Sequence, residues 1–234
     1  MKTDRIIGSV LGLALGDAFG APYEGGVLER AAWALIGKRK GRRRWTDDTQ
    51  MTIDVIESLV ACGDIDQDDL ARRFARSYRW SRGYGPGAAK VLKRIRRGQH
   101  WEAASSSAYR DGSFGNGGAM RAPAVGLFFS TDGEEELVEA ASASAAPQEV
   151  AAELGNVIAA IWGAVRGLDA LPQTRLEQLE ESDRLHALAR SLAEAVRNRS
   201  SKSNTTPPPQ PPHPPHPPPH PPPPPKPPPH PPHH

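Results

Sequence analysis

Two adjacent carboxylates lie between two threonine hydroxyls at positions 46–49, where the chain runs Thr-Asp-Asp-Thr ahead of an apolar segment. Oxygen groups of this kind are the ligands that hard divalent cations such as Mg2+ and Mn2+ prefer. The same residues are also typical of a helix start, where Thr46 or Asp47 caps the first N–H groups and acids favour the positive helix end. The motif therefore predicts a metal site, a helix cap, or both.

Two further acidic residues accompany an apolar segment near the N-terminus. Glycines recur every four residues from Gly8 to Gly20, which places them on one helix face and lets a second helix approach closely. Asp17 and Glu24 lie at or beyond the end of this predicted helix, where an uncompensated charge is costly. We interpret the helix as core packing and Glu24 as a candidate functional residue.

A glycine-rich stretch, Gly112 to Gly118, precedes an apolar run from Ala119 to Phe129. Backbone with so little side-chain cover can bend into a concave set of N–H groups that holds phosphate oxygens, although most glycine-rich stretches are turns. Because an apolar run follows, the pattern predicts a loop that enters a buried helix.

In this order, the three segments resemble the ADP-ribosylglycohydrolase family, which includes the dinitrogenase-reductase-activating glycohydrolases. The resemblance covers residues 5–129 and includes the Gly-Tyr-Gly-Pro-Gly string at 83–87. It implies an all-α fold, a compact helical bundle that holds two divalent ions. It also implies an enzyme that removes ADP-ribose from modified side chains or from related ADP-ribose conjugates.

The resemblance also implies roles for individual residues. Thr46, Asp47 and Asp48 match the N-terminal metal ligands of the family, and Glu24 matches an acidic residue near the scissile bond. Glu24 and Asp47 are accordingly the predicted catalytic residues. The predicted ADP-ribose-binding residues are Gly115, Asn116, Gly117, Gly118 and Met120. In such a site a metal ion orients the ribose hydroxyls and activates water, and a carboxylate transfers the proton at an oxocarbenium-like transition state.

The resemblance weakens after residue 130. The family has a second metal signature, Gly-Gly-Asp-Thr-Asp-Thr, before a small-residue helix. This chain has the helix at 158–167, but residues 152–157 before it run Ala-Glu-Leu-Gly-Asn-Val, and no Asp-x-Asp occurs beyond residue 140. We therefore predict an incomplete bundle with at most a partial Mg2+ or Mn2+ site.

Two functions fit these observations. One is metal-dependent hydrolysis of the glycosidic bond in an ADP-ribosylated protein or a small ADP-ribose conjugate. The other is a catalytically inactive, ADP-ribose-binding relic or truncated pseudoenzyme. Binding of Mn2+ or Mg2+ with a defined stoichiometry distinguishes the two.

The composition changes near residue 199. Residues 207–234 contain 20 of the 25 prolines and six of the eight histidines, a composition that favours extended polyproline II and cannot build a core. We predict an ADP-ribosylglycohydrolase-like domain at 1–199, shortened after about residue 130, and a disordered Pro/His-rich tail at 200–234. The apolar periodicity predicts further helices at Met51–Ala61, Asp69–Trp80, Glu135–Ser142, Gln148–Arg166 and Leu176–Val196.

Charge and cysteine content narrow the choice of partners. Residues 1–199 hold 27 basic and 27 acidic residues, and the basic runs at 38–44 and 90–97 accompany no nucleic-acid motif. Nucleic acid is therefore not an expected partner, although the first run is placed to steer an anionic substrate. The single cysteine excludes an internal disulfide, and neither a signal peptide nor an 18-residue apolar run is found. A cytoplasmic protein without a membrane partner is predicted.

Overall fold

The computed structural model describes residues 2–24, 26–108, 117–130, 160–161 and 163–203. Within them the chain forms helices and one two-stranded hairpin, which confirms the predicted all-α class. The chain divides into two units, Met1–Asn204 and Thr205–His234, and every described residue belongs to the first. The predicted helix at Glu135–Ser142, part of the one at Gln148–Arg166 and the Pro/His-rich tail from residue 204 onward lie outside the described residues.

Nine helices and one hairpin make up most of the described residues. The helices are α1 (Thr3–Gly20), α2 (Val27–Ile36), α3 (Asp47–Cys62), α4 (Gln67–Ser77), α5 (Pro86–Arg96), α6 (Trp101–Ser106), α7 (Gly117–Phe128), α8 (Gln173–Leu176) and α9 (Ser182–Ser203). Strands β1 (Lys38–Arg39) and β2 (Arg42–Arg43) pair antiparallel between α2 and α3. Short 3-10 turns cover Ala21–Tyr23, Trp80–Arg82 and Leu168–Ala170, and residues 160–161 and 163–166 are also helical.

Helix α1 lies in the centre of the bundle. It packs chiefly against α9 and also contacts α3 and α7. Its apolar side chains are buried over most of its length, as expected for a helix that is apolar all round. Among the described residues one stretch, Thr3–Tyr23, is long and apolar enough to cross a membrane, and 67% of its 18-residue window is buried inside the protein. A core helix satisfies the same criterion.

The glycine repeat of α1 permits one close backbone contact. A Cβ atom placed on Gly8 would lie 2.6 Å from the carbonyl oxygen of Gly163 and 2.7 Å from the carbonyl carbon of Gly167. Helix α1 and residues 163–167 therefore meet backbone to backbone. The predicted role of the glycine spacing is confirmed at Gly8.

We expect Gly8→Ala to lower the free energy of unfolding by about 2–3 kcal/mol, because the added methyl group must displace backbone atoms. Gly126→Ala in α7 is the matched control, since nothing lies within 4 Å of a Cβ at that position. The control is expected to be neutral or to stabilise by up to about 1 kcal/mol. Urea unfolding of both variants measures the difference, and a Gly8→Ala protein as stable as the control would contradict the close approach.

Helix boundaries differ from the periodicity where caps or irregular backbone intervene. Helix α3 begins at Asp47 instead of Met51, because Thr46 caps it. Helix α9 covers Ser182–Ser203 instead of Leu176–Val196, and so extends into the predicted tail. It begins late because Glu181 adopts the left-handed conformation, with φ 53°, which interrupts a right-handed helix.

Candidate functional site

The Thr-Asp-Asp-Thr motif forms the N-terminus of α3. The Thr46 hydroxyl oxygen accepts a hydrogen bond from the Asp48 N–H at 3.2 Å, so the helix-cap interpretation is confirmed for Thr46. Capping uses one lone pair of this oxygen and leaves a second one available. The cap and a metal-ligand role for Thr46 are therefore compatible.

Asp17 of α1 is hydrogen-bonded to the N-terminus of α3. Its carboxylate accepts hydrogen bonds from the N–H of Thr46 at 3.0 and 3.1 Å and from the N–H of Thr49 at 3.0 Å. The hydroxyls of Thr46 and Thr49 also donate to it, at 2.7 and 2.5 Å. Burial raises the pKa of Asp17, and these four groups act against the rise. The buried charge is thus balanced by the first turn of the helix it faces.

Asp17 and Thr46 accept from the Thr49 and Asp48 N–H groups, and Asp47 and Asp48 are the two carboxylates of this first turn itself. Asp47 is half-buried. Gly83 belongs to the Gly-Tyr-Gly-Pro-Gly string and has φ 91°. A Cβ atom added at Gly83 would lie 3.5 Å from Asp47 Oδ1. This string therefore borders the candidate metal site.

Asp48 is buried, and its charge acts on Arg121 of α7. Burial lowers the pKa of Arg121 to about 10, and the charge of Asp48 opposes that decrease. The guanidinium of Arg121 also lies 5.2 Å from the ring centroid of Phe74, and its Nη1 lies 3.8 Å from Met51 Sδ. No function was predicted for Arg121 from the sequence. Its position inside an apolar run could have indicated a role, because a buried cation needs an anion nearby.

The first turn of α7 adjoins α3 next to this pair. Gly117, Gly118 and Met120 are all buried, and the Met120 carbonyl accepts a hydrogen bond from the Thr52 hydroxyl at 3.4 Å. Gly115 and Asn116 lie outside the described residues. The predicted buried helix is confirmed from Gly117 onward, and the ADP-ribose contacts of all five residues stay predictions.

Glu24 ends the 3-10 turn that follows α1 and is half-buried. A Cβ atom added at Gly20 would lie 3.1 Å from Glu24 Oε1. Within the described part of the chain no three His, Cys, Asp or Glu side chains are grouped so that they could hold a metal ion. Glu24 is thus not assembled with Asp47 and Asp48 into a three-carboxylate cluster there.

The oxygen donors at the start of α3 suit one hard cation. Thr46, Asp47 and Asp48 supply two carboxylates and a hydroxyl, and water completes such a coordination sphere for Mg2+. A second ion nearby would need further carboxylates to offset the repulsion between the two cations. Within the described residues no third His, Cys, Asp or Glu joins these two carboxylates, so the donor types alone suggest a cation here and nothing described supplies ligands for a second one.

Another acidic residue, Asp54, lies two turns along α3 from Asp47. It is buried, and its Oδ2 accepts a hydrogen bond from the Ser77 hydroxyl at 2.5 Å. Burial raises the pKa of Asp54 to about 7. The Ser77 hydrogen bond opposes this rise, the charge of Glu57 adds to it, and Gln50 and Arg184 oppose it further.

The raised pKa of Asp54 makes stability depend on pH. The folded protein retains this proton between the unfolded pKa of 3.8 and about 7, so the stability that Asp54 contributes in acid is lost as pH rises through that range. Asp54→Asn removes the titration and keeps an oxygen for Ser77. Relative to wild type, we expect it to gain roughly 2 kcal/mol between about pH 5 and pH 8. Urea unfolding at both pH values measures this, and parallel curves for the two proteins would contradict it.

Comparison with known proteins shows similarity along the N-terminal part of the chain. A family model described as ADP-ribosylglycohydrolase matches residues 1–154. ADP-ribosylhydrolase ARH3 of Danio rerio is 36% identical over 143 residues, covering 55% of this chain and 38% of the relative. ADP-ribosyl-[dinitrogen reductase] glycohydrolase of Rhodospirillum rubrum is 34% identical over 131 residues, covering 50% and 42%. The chain spans about two fifths of the length of these relatives.

Two further matches extend beyond that region. An uncharacterized protein of Archaeoglobus fulgidus is 32% identical over 204 residues, covering 80% of this chain and 63% of the relative. A solved structure described as an ADP-ribosylglycohydrolase-related protein complex superposes with a TM-score of 0.56 at 20% identity. The superposition covers 83% of this chain and 98% of that chain. At this identity the likeness concerns the fold, and it agrees with the all-α bundle.

Proposed function

The chain belongs to the ADP-ribosylglycohydrolase family, and from this premise we propose that it is a metal-dependent hydrolase of ADP-ribose conjugates. The bond to be cleaved joins the ribose to a protein side chain or to a related small group. The observation that carries the proposal is the pair of adjacent carboxylates, Asp47 and Asp48, in the first turn of α3, beside Thr46, whose N–H and hydroxyl Asp17 holds.

In this proposal Thr46, Asp47 and Asp48 hold one divalent cation, and Mg2+ or Mn2+ suits their oxygen donors. When bound, the cation supplies an activated water and polarises the ribose hydroxyls. Asp17 orients Thr46 by accepting from both its N–H and its hydroxyl. Arg121 offsets the buried charge of Asp48, which would be costly alone.

The remaining roles concern the substrate and the proton. The first turn of α7 is proposed to bind the diphosphate of ADP-ribose, because N–H groups at a helix N-terminus favour phosphate oxygens. Gly117, Gly118 and Met120 lie on this turn, and Gly115 and Asn116 precede it. Glu24 is proposed as the group that transfers a proton at the glycosidic bond.

The test is release of free ADP-ribose by the purified 234-residue chain. Three substrates are compared: a peptide ADP-ribosylated on arginine, a peptide ADP-ribosylated on serine, and a small ADP-ribose conjugate. Each is incubated with Mn2+, with Mg2+ and with EDTA. We expect release from at least one substrate in the presence of metal and none with EDTA. Saturable binding of ADP-ribose without release from any substrate would instead support the inactive, ADP-ribose-binding alternative.

A further inference from the structure

A polar cavity of about 430 Å3 lies beside α3, on the side that carries Asp54. Its wall combines α3, the C-terminal end of α4, the 3-10 turn at 80–82, the hairpin strand region and the start of α9. Seven arginines lie in this wall, and neither Asp47 nor Asp48 does. We call it the arginine cavity. Its volume lies within the range of small-molecule sites.

Three of the seven arginines share one buried carboxylate. Glu180 lies 2.6 Å from Arg82, 3.7 Å from Arg44 and 3.9 Å from Arg39. Arg82 also donates to the Trp45 carbonyl at 2.7 Å and stacks 3.5 Å above the Trp45 ring. Arg82 and Arg44 are therefore rigidly held parts of the wall.

Two further arginines of the cavity share a second carboxylate, and two others have none among the described residues. Arg73 and Arg184 lie 3.5 and 3.1 Å from Glu57. The exposed Arg76 and Arg79 line the same cavity, and neither forms an ion pair within the described part of the chain. The wall thus holds more positive than negative charge, and Arg76 and Arg79 are the arginines of this wall that have no ion-pair partner within the described residues.

The cavity also offers hydrogen-bond donors for an oxyanion. Guanidinium groups present planar pairs of N–H donors that match phosphate oxygens in bidentate fashion. Arg44 Nη2 donates to the Ser81 hydroxyl oxygen at 3.2 Å, so the hydroxyl hydrogen of Ser81 stays available as a donor. Charge and donors together favour phosphoryl groups over neutral ligands.

We propose that the arginine cavity binds a small phosphoryl anion, of the phosphate or pyrophosphate class, with Arg76 and Arg79 as its principal ligands. This site is separate from the metal ligands proposed at the start of α3, and it stands independently of the proposed hydrolase activity. Because α3, α4 and α9 all contribute to the wall, a bound anion would also hold these helices together.

Calorimetric titration of the full chain with inorganic pyrophosphate and with inorganic phosphate, in EDTA buffer, tests the proposal. We expect saturable binding at one site, weakened at least about tenfold by Arg76→Ser and by Arg79→Ser. Arg72→Ser is the matched control, because Arg72 lies on the same helix with a side chain 61% exposed and does not line the cavity. Circular dichroism verifies that each variant is folded.

The outcomes separate the alternatives. Tighter binding of pyrophosphate than of phosphate would mean that two phosphoryl groups span Arg76 and Arg79, and equal affinities would mean that one phosphoryl group binds. Absence of saturable binding overturns the proposal. So does equal weakening by the Arg72→Ser control, which would reveal general electrostatic attraction. Loss of pyrophosphate binding in Asp47→Asn would place the anion at the metal motif and overturn it as well.

Discussion

Asp47→Asn is expected to weaken Mn2+ binding and metal-dependent ADP-ribose release by more than about 100-fold, while the protein stays folded. Loss of groups that merely support metal ligands costs 10–100-fold in metal affinity or activity, and a ligand carboxylate is expected to contribute more. The fold should persist because Thr46 and Asp17 accept from the Asp48 and Thr49 N–H groups at the start of α3. Calorimetric titration with Mn2+ and then Mg2+ measures binding, and the release assay measures activity.

A variant of the neighbouring residue, Asp48→Asn, is a second test of the metal role of the motif. Asp48→Asn should lose the metal and also destabilise the protein, because it removes the negative charge that acts on buried Arg121. Asp64→Asn is the control, since Asp64 is exposed and follows the end of α3. Mn2+ binding unchanged in Asp47→Asn would refute the metal role of the motif. The six histidines of residues 207–234 would then be the next candidate ligands.

Asp17→Asn is expected to lower the free energy of unfolding by about 3–4 kcal/mol. The amide would direct NH2 donors at groups that are themselves donors, and buried N–H groups of Thr46 and Thr49 would lose a charged acceptor. Asp4→Asn, an exposed position in the first turn of the same helix, should change stability by less than about 0.5 kcal/mol. Urea unfolding followed by circular dichroism measures both.

The same variant tests the link between α1 and the candidate site. Without Asp17 the Thr46 hydroxyl loses the acceptor that orients it, so Mn2+ affinity should fall about tenfold even where the protein is folded. An Asp17→Asn protein with wild-type stability would show that the short hydrogen bonds to Asp17 contribute nothing. Wild-type stability with weakened metal binding would assign Asp17 a purely positioning role.

Local signals in the sequence were sufficient for the start of α3 and for the glycine contact of α1. A capping threonine acts on N–H groups two residues away, and a glycine repeat acts through helical periodicity, so both can be inferred from spacing. The partner of Asp17 could not be inferred, because 29 residues separate it from Thr46. Periodicity shows which residues share a face and not which helices meet. The proximity of Arg121 to Asp48 was missed for the same reason.

The basic run before α3 shows the same limit more strongly. From sequence it was predicted to steer an anionic substrate, and residues 38–42 are indeed exposed. In the structure it forms a hairpin whose Arg43 exchanges backbone hydrogen bonds with Gln178 and Glu180, at 2.7 and 2.8 Å. The Trp45 indole donates to the Glu180 carbonyl at 3.1 Å. These contacts join residues about 135 positions apart, and neither composition nor periodicity specifies such pairs.

The packing of α1 against α9 has a consequence for synthesis on the ribosome. The first helix emerges early, but its chief partner begins at Ser182, about 160 residues later. At usual elongation rates of 5–20 residues per second the nascent α1 waits roughly 8–32 s for that partner. During this interval the face of α1 that packs against α9 has no partner, although α3 and α7 are already made. A helix that is apolar enough to cross a membrane is thus completed in its packing only by the last helix of the described chain.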